Sequence, residues 1–401
     1  MTNHSKNTIW LLTIGAFFAF FVFGFTDNLK GPALPAILQD MKFSYSQGGS
    51  ILLGIYLGFI TATITSGPLA DAVGQKFVLV LAAICLSIGL SGFGAFSSPT
   101  LMTISMAILG FGLGSLELGC NSLIVELHSS DKGRYLNLMA VMHGLGSMLA
   151  PLYAGWLLSG NSNWRAIYQW DLIPVGLLVL YFSLTSFPKK KTINSEKVDF
   201  RLISKTAFTP EMLWYYATIT LYVTIELGIA SWLVEFLQKE RQFSVAQSNQ
   251  ALSAFFGLIM IGRFVGSFFV ERLGYLKSIL VNMLAASFCI ALGLFGPPQL
   301  SFLLPGSGFF LSIIFPTITA AVSDAHKENI NTILGVLFTF AGFGGVIGPW
   351  LVGFASDLGG IKFGFSINLF FGLLTACAAY ILLKIKRNKL NPSNNPSNPI
   401  I

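Results

Sequence analysis

The sequence predicts an all-α integral membrane protein of twelve transmembrane helices, arranged as two pseudo-symmetric six-helix halves. Three observations lead there. Only 10% of the 401 residues are charged while 54% are apolar, against about 25% charged in a soluble domain that must cover its surface. The apolar residues gather in twelve runs, near 9–38, 49–70, 77–96, 101–127, 135–158, 167–187, 212–237, 248–270, 277–296, 301–323, 332–356 and 363–385. The last six runs repeat landmarks of the first six at an offset near 200. So little charge excludes water-soluble enzymes and nucleic-acid binders, and the apolar excess excludes a disordered chain. A β-barrel fits poorly, because its strands alternate over about 10 residues, whereas 77–96 runs through apolar and small residues without a charge.

Taken in order, the first run is too long for a signal peptide and lacks a small-x-small cleavage site, so it reads as a mature span. It holds Asp27 and Lys30 on one helix face. Gly31-Pro32 follows, and should break the helix and free carbonyls near the midplane. Ionisable groups mid-span cost about 2.5–3.5 kcal/mol each on insertion scales, so they mark sites or partners. Asp27 and Lys30 either simply neutralise each other or serve a site. In the fourth run Glu117 and Asn121 stand four apart and present an acid and an amide on one face. No basic residue lies within a turn of Glu117, so a partner must come from another helix, Lys30 being one candidate. A buried carboxylate there can load and release a proton.

The fifth run carries His143 beside Gly144 and Gly146. A lone histidine in an apolar span is often a packing group, but these glycines thin the helix and leave the imidazole reachable from a cavity. After the sixth run comes the longest polar interruption, Pro188–Pro210, opening with Lys189-Lys190-Lys191. It divides the chain into a bundle over 1–187, a linker over 188–210, a second bundle over 211–386 and a tail over 387–401 expected to be disordered. The seventh run holds Glu226, the repeat partner of Asp27, and the eighth holds Arg263, which can pair with Glu226 or Asp27 in a structural or gating role. Cys85, Cys120, Cys289 and Cys377 all lie in apolar runs without CxxC spacing, so they read as packing residues rather than metal ligands or disulfides.

The repeat is specific. Phe43, Ser44, Gln47, Asp71 and Gly74 meet Phe243, Ser244, Gln247, Glu271 and Gly274 at an offset of 200. Asp27 and Gln39 meet Glu226 and Gln238 at 199, and Gly144, Gly146, Pro151 and Gly155 meet Gly342, Gly344, Pro349 and Gly353 at 198. Parallel six-helix repeats with a site at the midplane between them are a transporter architecture. Lys and Arg set the orientation: with the N-terminus inside, seventeen fall on the cytoplasmic side and five on the other, with Lys30 and Arg263 inside spans. The positive-inside rule therefore places both termini in the cytoplasm, and the net charge of +7 is a topology signal rather than a nucleic-acid footprint.

The loop Gly67-Pro68-Leu69-Ala70-Asp71-Ala72-Val73-Gly74-Gln75-Lys76 resembles the signature loop of the major facilitator superfamily, with Gln75 where a basic residue is often found. Asp71 is expected to cap or pair at the cytoplasmic gate. A merely structural turn is the alternative. The run Gly112–Asn121, Leu136-Asn137-Leu138 ahead of His143, Glu226 within Tyr222–Trp232, and Ile261-Gly262-Arg263-Phe264 with Phe315-Pro316-Thr317-Ile318 resemble the fucose–galactose–glucose symporters of that superfamily. The resemblance implies alternating access and uptake of a hexose, glucose-like, driven by a proton or sodium ion. It gives Glu117 the role of the family's fourth-helix acid, contacting substrate and taking part in coupling, and Asn121 that of its amide. It puts His143 where the fucose permease has a substrate-binding Asn. The first helix departs from the pattern: Gly31 stands where an acid is expected, and Asp27, with Lys30 as counter-ion, can substitute. That leaves the coupling ion, and coupling itself, open.

The reading is therefore a plasma-membrane importer, of a bacterial inner membrane, working as a monomer in the lipid bilayer on a small sugar, with no cofactor beyond the coupling cation. Asn28, Glu117, Asn121, His143 and Glu226 are its candidate substrate groups. Asp27 and Glu117 are the candidates for ion coupling, and Lys30, Asp71 and Arg263 for gating. Sugar recognition needs such amide, carboxylate and imidazole groups in an apolar cavity. A drug/cation antiporter is the alternative, since Gly144, Gly146, Pro151 and Gly155 echo the Gly-Pro fifth helix of such exporters, although Ala150 replaces the Gly before Pro151. An intramembrane enzyme using Glu117 and His143 as acid and base has no nucleophile motif, metal cluster or phosphate-cradling loop behind it. A non-transporting sensor would usually carry a soluble signalling domain.

Overall fold

Each apolar run becomes a helix. The computed structural model describes residues 6–160, 162–187, 208–325 and 330–390. Most of the expected linker (188–207) and tail (391–401) lies outside the described residues. Span 1 is built from Lys6–Asp27 and Lys30–Met41, and spans 2 to 6 are Tyr45–Val73, Gln75–Ala95, Pro99–Leu127, Lys132–Ser159 and Trp164–Leu184. Span 7 is Pro210–Arg241, span 8 is Val245–Gly266 with a short helix Val270–Leu273 after it, and span 9 is Tyr275–Phe295. Span 10 joins a 3-10 turn, Pro298–Phe302, to Leu303–Leu311 and Ile314–Ala325. Spans 11 and 12 share Ile330–Leu390, parted at the non-helical Gly359 and Gly360. Among the described residues ten helical stretches are long and apolar enough to cross a membrane, one of them holding both spans 11 and 12. Span 8, diluted by Gln, Asn and Arg263, completes the twelve. The last helix runs to Leu390, past the expected start of the tail at 387, because Lys384, Ile385, Lys386 and Arg387 continue a helix-compatible sequence.

The break in span 1 falls at Asn28-Leu29, ahead of Gly31-Pro32 rather than after it. Pro32 has no N–H to give the carbonyl of Asn28, four residues back, and its ring crowds that carbonyl. The chain there tightens into bonds from Asn28 N to Phe25 O at 3.2 Å and from Leu29 N to Thr26 O at 3.4 Å. Span 10 parts at Ser312-Ile313, the same distance before Pro316. Pro68, Pro151, Pro174 and Pro349 lie within uninterrupted helices. Span 1 differs in having the Lys30 ammonium within 2.7 Å of the freed Asp27 carbonyl.

The sequence repeat is matched in backbone detail. Ser44 with Gln47 and Ser244 with Gln247 each form a complete capping box at the start of spans 2 and 8. Lys42 and Gln242 are both left-handed, at φ 54° and 56°, and Gly74 and Gly274 sit at φ 93° and 84°. Buried apolar side chains form two cores, one from Leu12 to Phe182 and one from Met212 to Leu382 that also takes in Leu34, Leu38 and Leu52. Within the first, spans 2 and 4 touch backbone to backbone: a Cβ on Gly58 would strike the carbonyl of Ala107, and one on Gly110 the carbonyl of Ile55. Small residues allow such contact between membrane helices. Gly110→Ala is expected to destabilise the protein by about 1–3 kcal/mol, read as a lower melting temperature in detergent.

Let the near end be where span 1 begins and the far end where Met41 and Tyr45 lie. At the far end the halves are clasped. Asp357, closing span 11, accepts from the backbone N–H of Tyr45 at 2.8 Å and of Ser46 at 2.9 Å, capping span 2 from the other half. The Tyr45 hydroxyl donates to Glu235 of span 7 at 3.2 Å, and Ser253 of span 8 donates to the carbonyl of Met148 in span 5 at 2.7 Å. Towards the near end spans 2, 5, 8 and 11 expose Thr61, Thr65, Asn137, Arg263 and Gly335, so the interface opens that way. Charge-assisted bonds are worth about 1.5–3 kcal/mol each. Asp357→Ala should therefore shift the population toward a far-open state by about tenfold or more, measured as a longer distance between spin labels on Lys42 and Leu358.

Candidate functional site

The break in span 1 aims its polar groups inward. Lys30 is 3% exposed and its ammonium donates to the Asp27 carboxylate at 2.5 Å. It also stands 5.4 Å over the ring of Tyr56 in span 2. The acid and amine are thus a formed pair, and neither Glu117 nor Glu226 has Lys30 as partner. Asn28 is buried, and its amide donates to Gly24 O at 2.8 Å and to Ser147 Oγ at 3.0 Å. Both amide hydrogens tie the break to the helices around it, leaving only the amide oxygen for a ligand.

The other predicted groups gather around this pair. Glu117 is half-buried and within electrostatic range of Asp27. Among the described residues it makes no hydrogen bond or ion pair. Asn121 lies one helical turn nearer the near end. His143 sets its ring edge-on to Phe23, centroids 4.7 Å apart, and faces Asp27, Lys30 and, across the interface, Arg263. On the opposite half Glu226 is half-buried beside Tyr222 and within range of Tyr56. Arg263 is exposed, within range of His143 and Tyr222, and among the described residues it forms no ion pair with Glu226 or Asp27. These groups lie within electrostatic range of one another across the two halves: Asp27 and Glu226 with Tyr56, Glu226 and Arg263 with Tyr222, and Arg263 and Asp27 with His143. Asp71 is not among them. It sits exposed at the near end of span 2, about 22 Å along the helix from Tyr56.

Four residues went unread in the sequence. Tyr56 and Tyr222 give no signal there beyond a polar tip in an apolar run. Asp171 in span 6 and Glu235 in span 7 are intramembrane carboxylates that the rule used for Glu117 also selects. Asp171, 1% exposed, accepts from Thr26 Oγ1 at 2.7 Å, and its other oxygen has no partner. Among the described residues no cluster of His, Cys, Asp or Glu could hold a metal ion, and all four cysteines are free.

A site enclosed by two repeated six-helix bundles, clasped at one end and open at the other, is that of an alternating-access carrier. The family comparison agrees: the model of the Major Facilitator Superfamily matches residues 16–326. The chain belongs to that superfamily. It is a multi-pass membrane transporter, not an enzyme. Relatives within the superfamily include the cis,cis-muconate transport protein of Acinetobacter baylyi, 23% identical over 88% of this chain and 89% of that one. A putative glucose/galactose transporter of Helicobacter pylori is 24% identical over 88% and 90%, and a glucose/galactose transporter of Brucella abortus 24% over 95% and 94%. Among solved structures, the nucleoside transporter NupG superposes with a TM-score of 0.81 at 16% identity, covering 94% of this chain and 99% of its own. The E. coli fucose:proton symporter FucP superposes at 0.63 with 20% identity over 94% and 99%. At these identities the structures speak for the superfamily fold alone.

Proposed function

We propose that this protein imports a hexose, glucose-like, by cation symport through alternating access, with the near end cytoplasmic and the structure in its inward-open state. One observation carries the reading. Three acids from both halves converge on one site, and Lys30 is spent on Asp27, so Glu117 and Glu226 face the cavity without an ion partner. Such carboxylates suit two tasks at once, accepting hydrogen bonds from sugar hydroxyls and holding the coupling cation. Glu117 is our candidate for the coupling group, since Asp27 already has a cation within bonding distance. His143 and the oxygens of Asn28 and Asn121 complete a polar lining in an otherwise apolar wall. The glucose/galactose transporters among the relatives support the substrate class, and the excess of Lys and Arg at the near end supports the orientation. In the cycle, a cation and a sugar enter from the far side, the halves rock, and the clasp at Tyr45, Glu235 and Asp357 closes behind them. Asp71 would take part in the opposite, near-end closure.

A second reading has its own observation. Arg263 is a cation at the interface in no ion pair, and one relative carries muconate, a dicarboxylate. Uptake into proteoliposomes separates the two. Radiolabelled glucose, galactose and fucose are compared with muconate under imposed proton and sodium gradients. Gradient-driven accumulation of a hexose supports symport and names the ion, while accumulation of muconate alone overturns the sugar reading.

A further inference from the structure

Resting on that reading of the site, we propose that Tyr56 is a substrate-binding and specificity-determining residue, its phenol hydroxyl reserved for a hydroxyl of a neutral polyol. Tyr56 is 8% exposed, yet among the described residues its hydroxyl has no hydrogen-bond partner. Buried polar groups are nearly always paired, so one that is not awaits a ligand or water. Its surroundings are built around the ring rather than the hydroxyl. The Lys30 ammonium lies 5.4 Å from the ring centre, and Gly345 of span 11 leaves room for its edge, where a Cβ would come within 2.7 Å of the ring. A side chain of the first half is thus wedged against a helix of the second, level with the broken span 1.

Tyr56 also lies within electrostatic range of two acids, Asp27 of its own half and Glu226 of the other. Both are only half-buried, so the cavity reaches the wall beside it. Tyr222, from the second half, likewise sets a buried hydroxyl beside Glu226. A polyol entering here could bond Tyr56 and Glu226 together, joining the halves through one ligand. A neutral ligand fits beside Tyr56, because the cation over its ring, Lys30, is already paired with Asp27. Neighbouring hydroxyls are what the pair can measure: the Tyr56 phenol both donates and accepts, whereas a carboxylate only accepts.

The test is Tyr56→Phe in the full chain, purified in detergent, with sugar binding read by calorimetry against glucose, its epimers and its singly deoxygenated analogues. Melting of the empty protein is followed alongside. The expected result is an unchanged or higher melting temperature without sugar and about tenfold weaker binding of the preferred sugar. One deoxy analogue should bind wild type and variant equally, which identifies the hydroxyl that Tyr56 holds. If wild type binds sugar and the variant binds every analogue as well as wild type does, the inference is overturned while the sugar reading stands. A lower melting temperature with unchanged affinity likewise makes the hydroxyl structural. If wild type binds none of the sugars, the sugar reading falls and this assignment falls with it.

Discussion

Glu117→Gln is expected to abolish uphill accumulation while sparing exchange of sugar across the membrane. One proton moving with each sugar down 100 mV supplies about 2.3 kcal/mol, which at 1.36 kcal/mol per decade corresponds to about 50-fold accumulation. Glutamine keeps the size of the side chain and its capacity for hydrogen bonds to sugar hydroxyls, but it cannot take up and release a proton. The variant should therefore bring internal sugar level with external sugar and no higher. Counterflow between labelled and unlabelled sugar should continue, because it needs no net movement of the cation. The geometry makes this the decisive position: Asp27 is paired with Lys30 at 2.5 Å, whereas Glu117 makes no ion pair among the described residues. A variant that still concentrates sugar would move the coupling role to Glu226 or Asp171.

Most of the architecture was legible because membrane proteins write it in composition. Continuous apolar runs locate the spans, and the offset near 200 is matched by paired features such as Lys42 and Gln242 at φ 54° and 56°. The site was legible to the extent that its members are costly in lipid. Asp27, Lys30, Glu117, His143, Glu226 and Arg263 stand out against their neighbours, and the fold gathers all six. Asn121 was read as the amide beside Glu117 and a candidate substrate group, and among the described residues the structure adds no hydrogen-bond partner to it. Pairing was legible only in part. Lys30 was open as a partner for either Asp27 or Glu117, and the structure puts it on Asp27, because i, i+3 neighbours across a distorted turn meet before helices do. Arg263 was open as a partner for an acid, but its place near the end of span 8 leaves it exposed. Tyr56 and Tyr222 were invisible, since their importance lies in a missing hydrogen bond, and only coordinates show that.

Lys30→Met should be the most damaging substitution for stability, and the reason separates pairing from function. The change keeps the aliphatic stem under Tyr56 but removes the ammonium bonded to the Asp27 carboxylate. It also removes the ammonium that holds the Asp27 carbonyl at 2.7 Å across the break in span 1. Removing one partner of a buried ion pair costs about 3–5 kcal/mol, because the remaining charge stays desolvated, whereas removing both can be nearly neutral. The single variant should thus melt well below wild type and give poor yield, and Asp27→Asn/Lys30→Met should recover most of the loss. If the single and double variants melt alike, the pair is not what stabilises the break, and the bond to the carbonyl is. The rescued double variant then poses the functional question directly. If it accumulates sugar under a gradient as wild type does, Asp27 and Lys30 serve the fold and coupling rests on Glu117. If it binds sugar but only equilibrates it, the pair itself opens and closes with the cation, and the first span carries a share of the coupling.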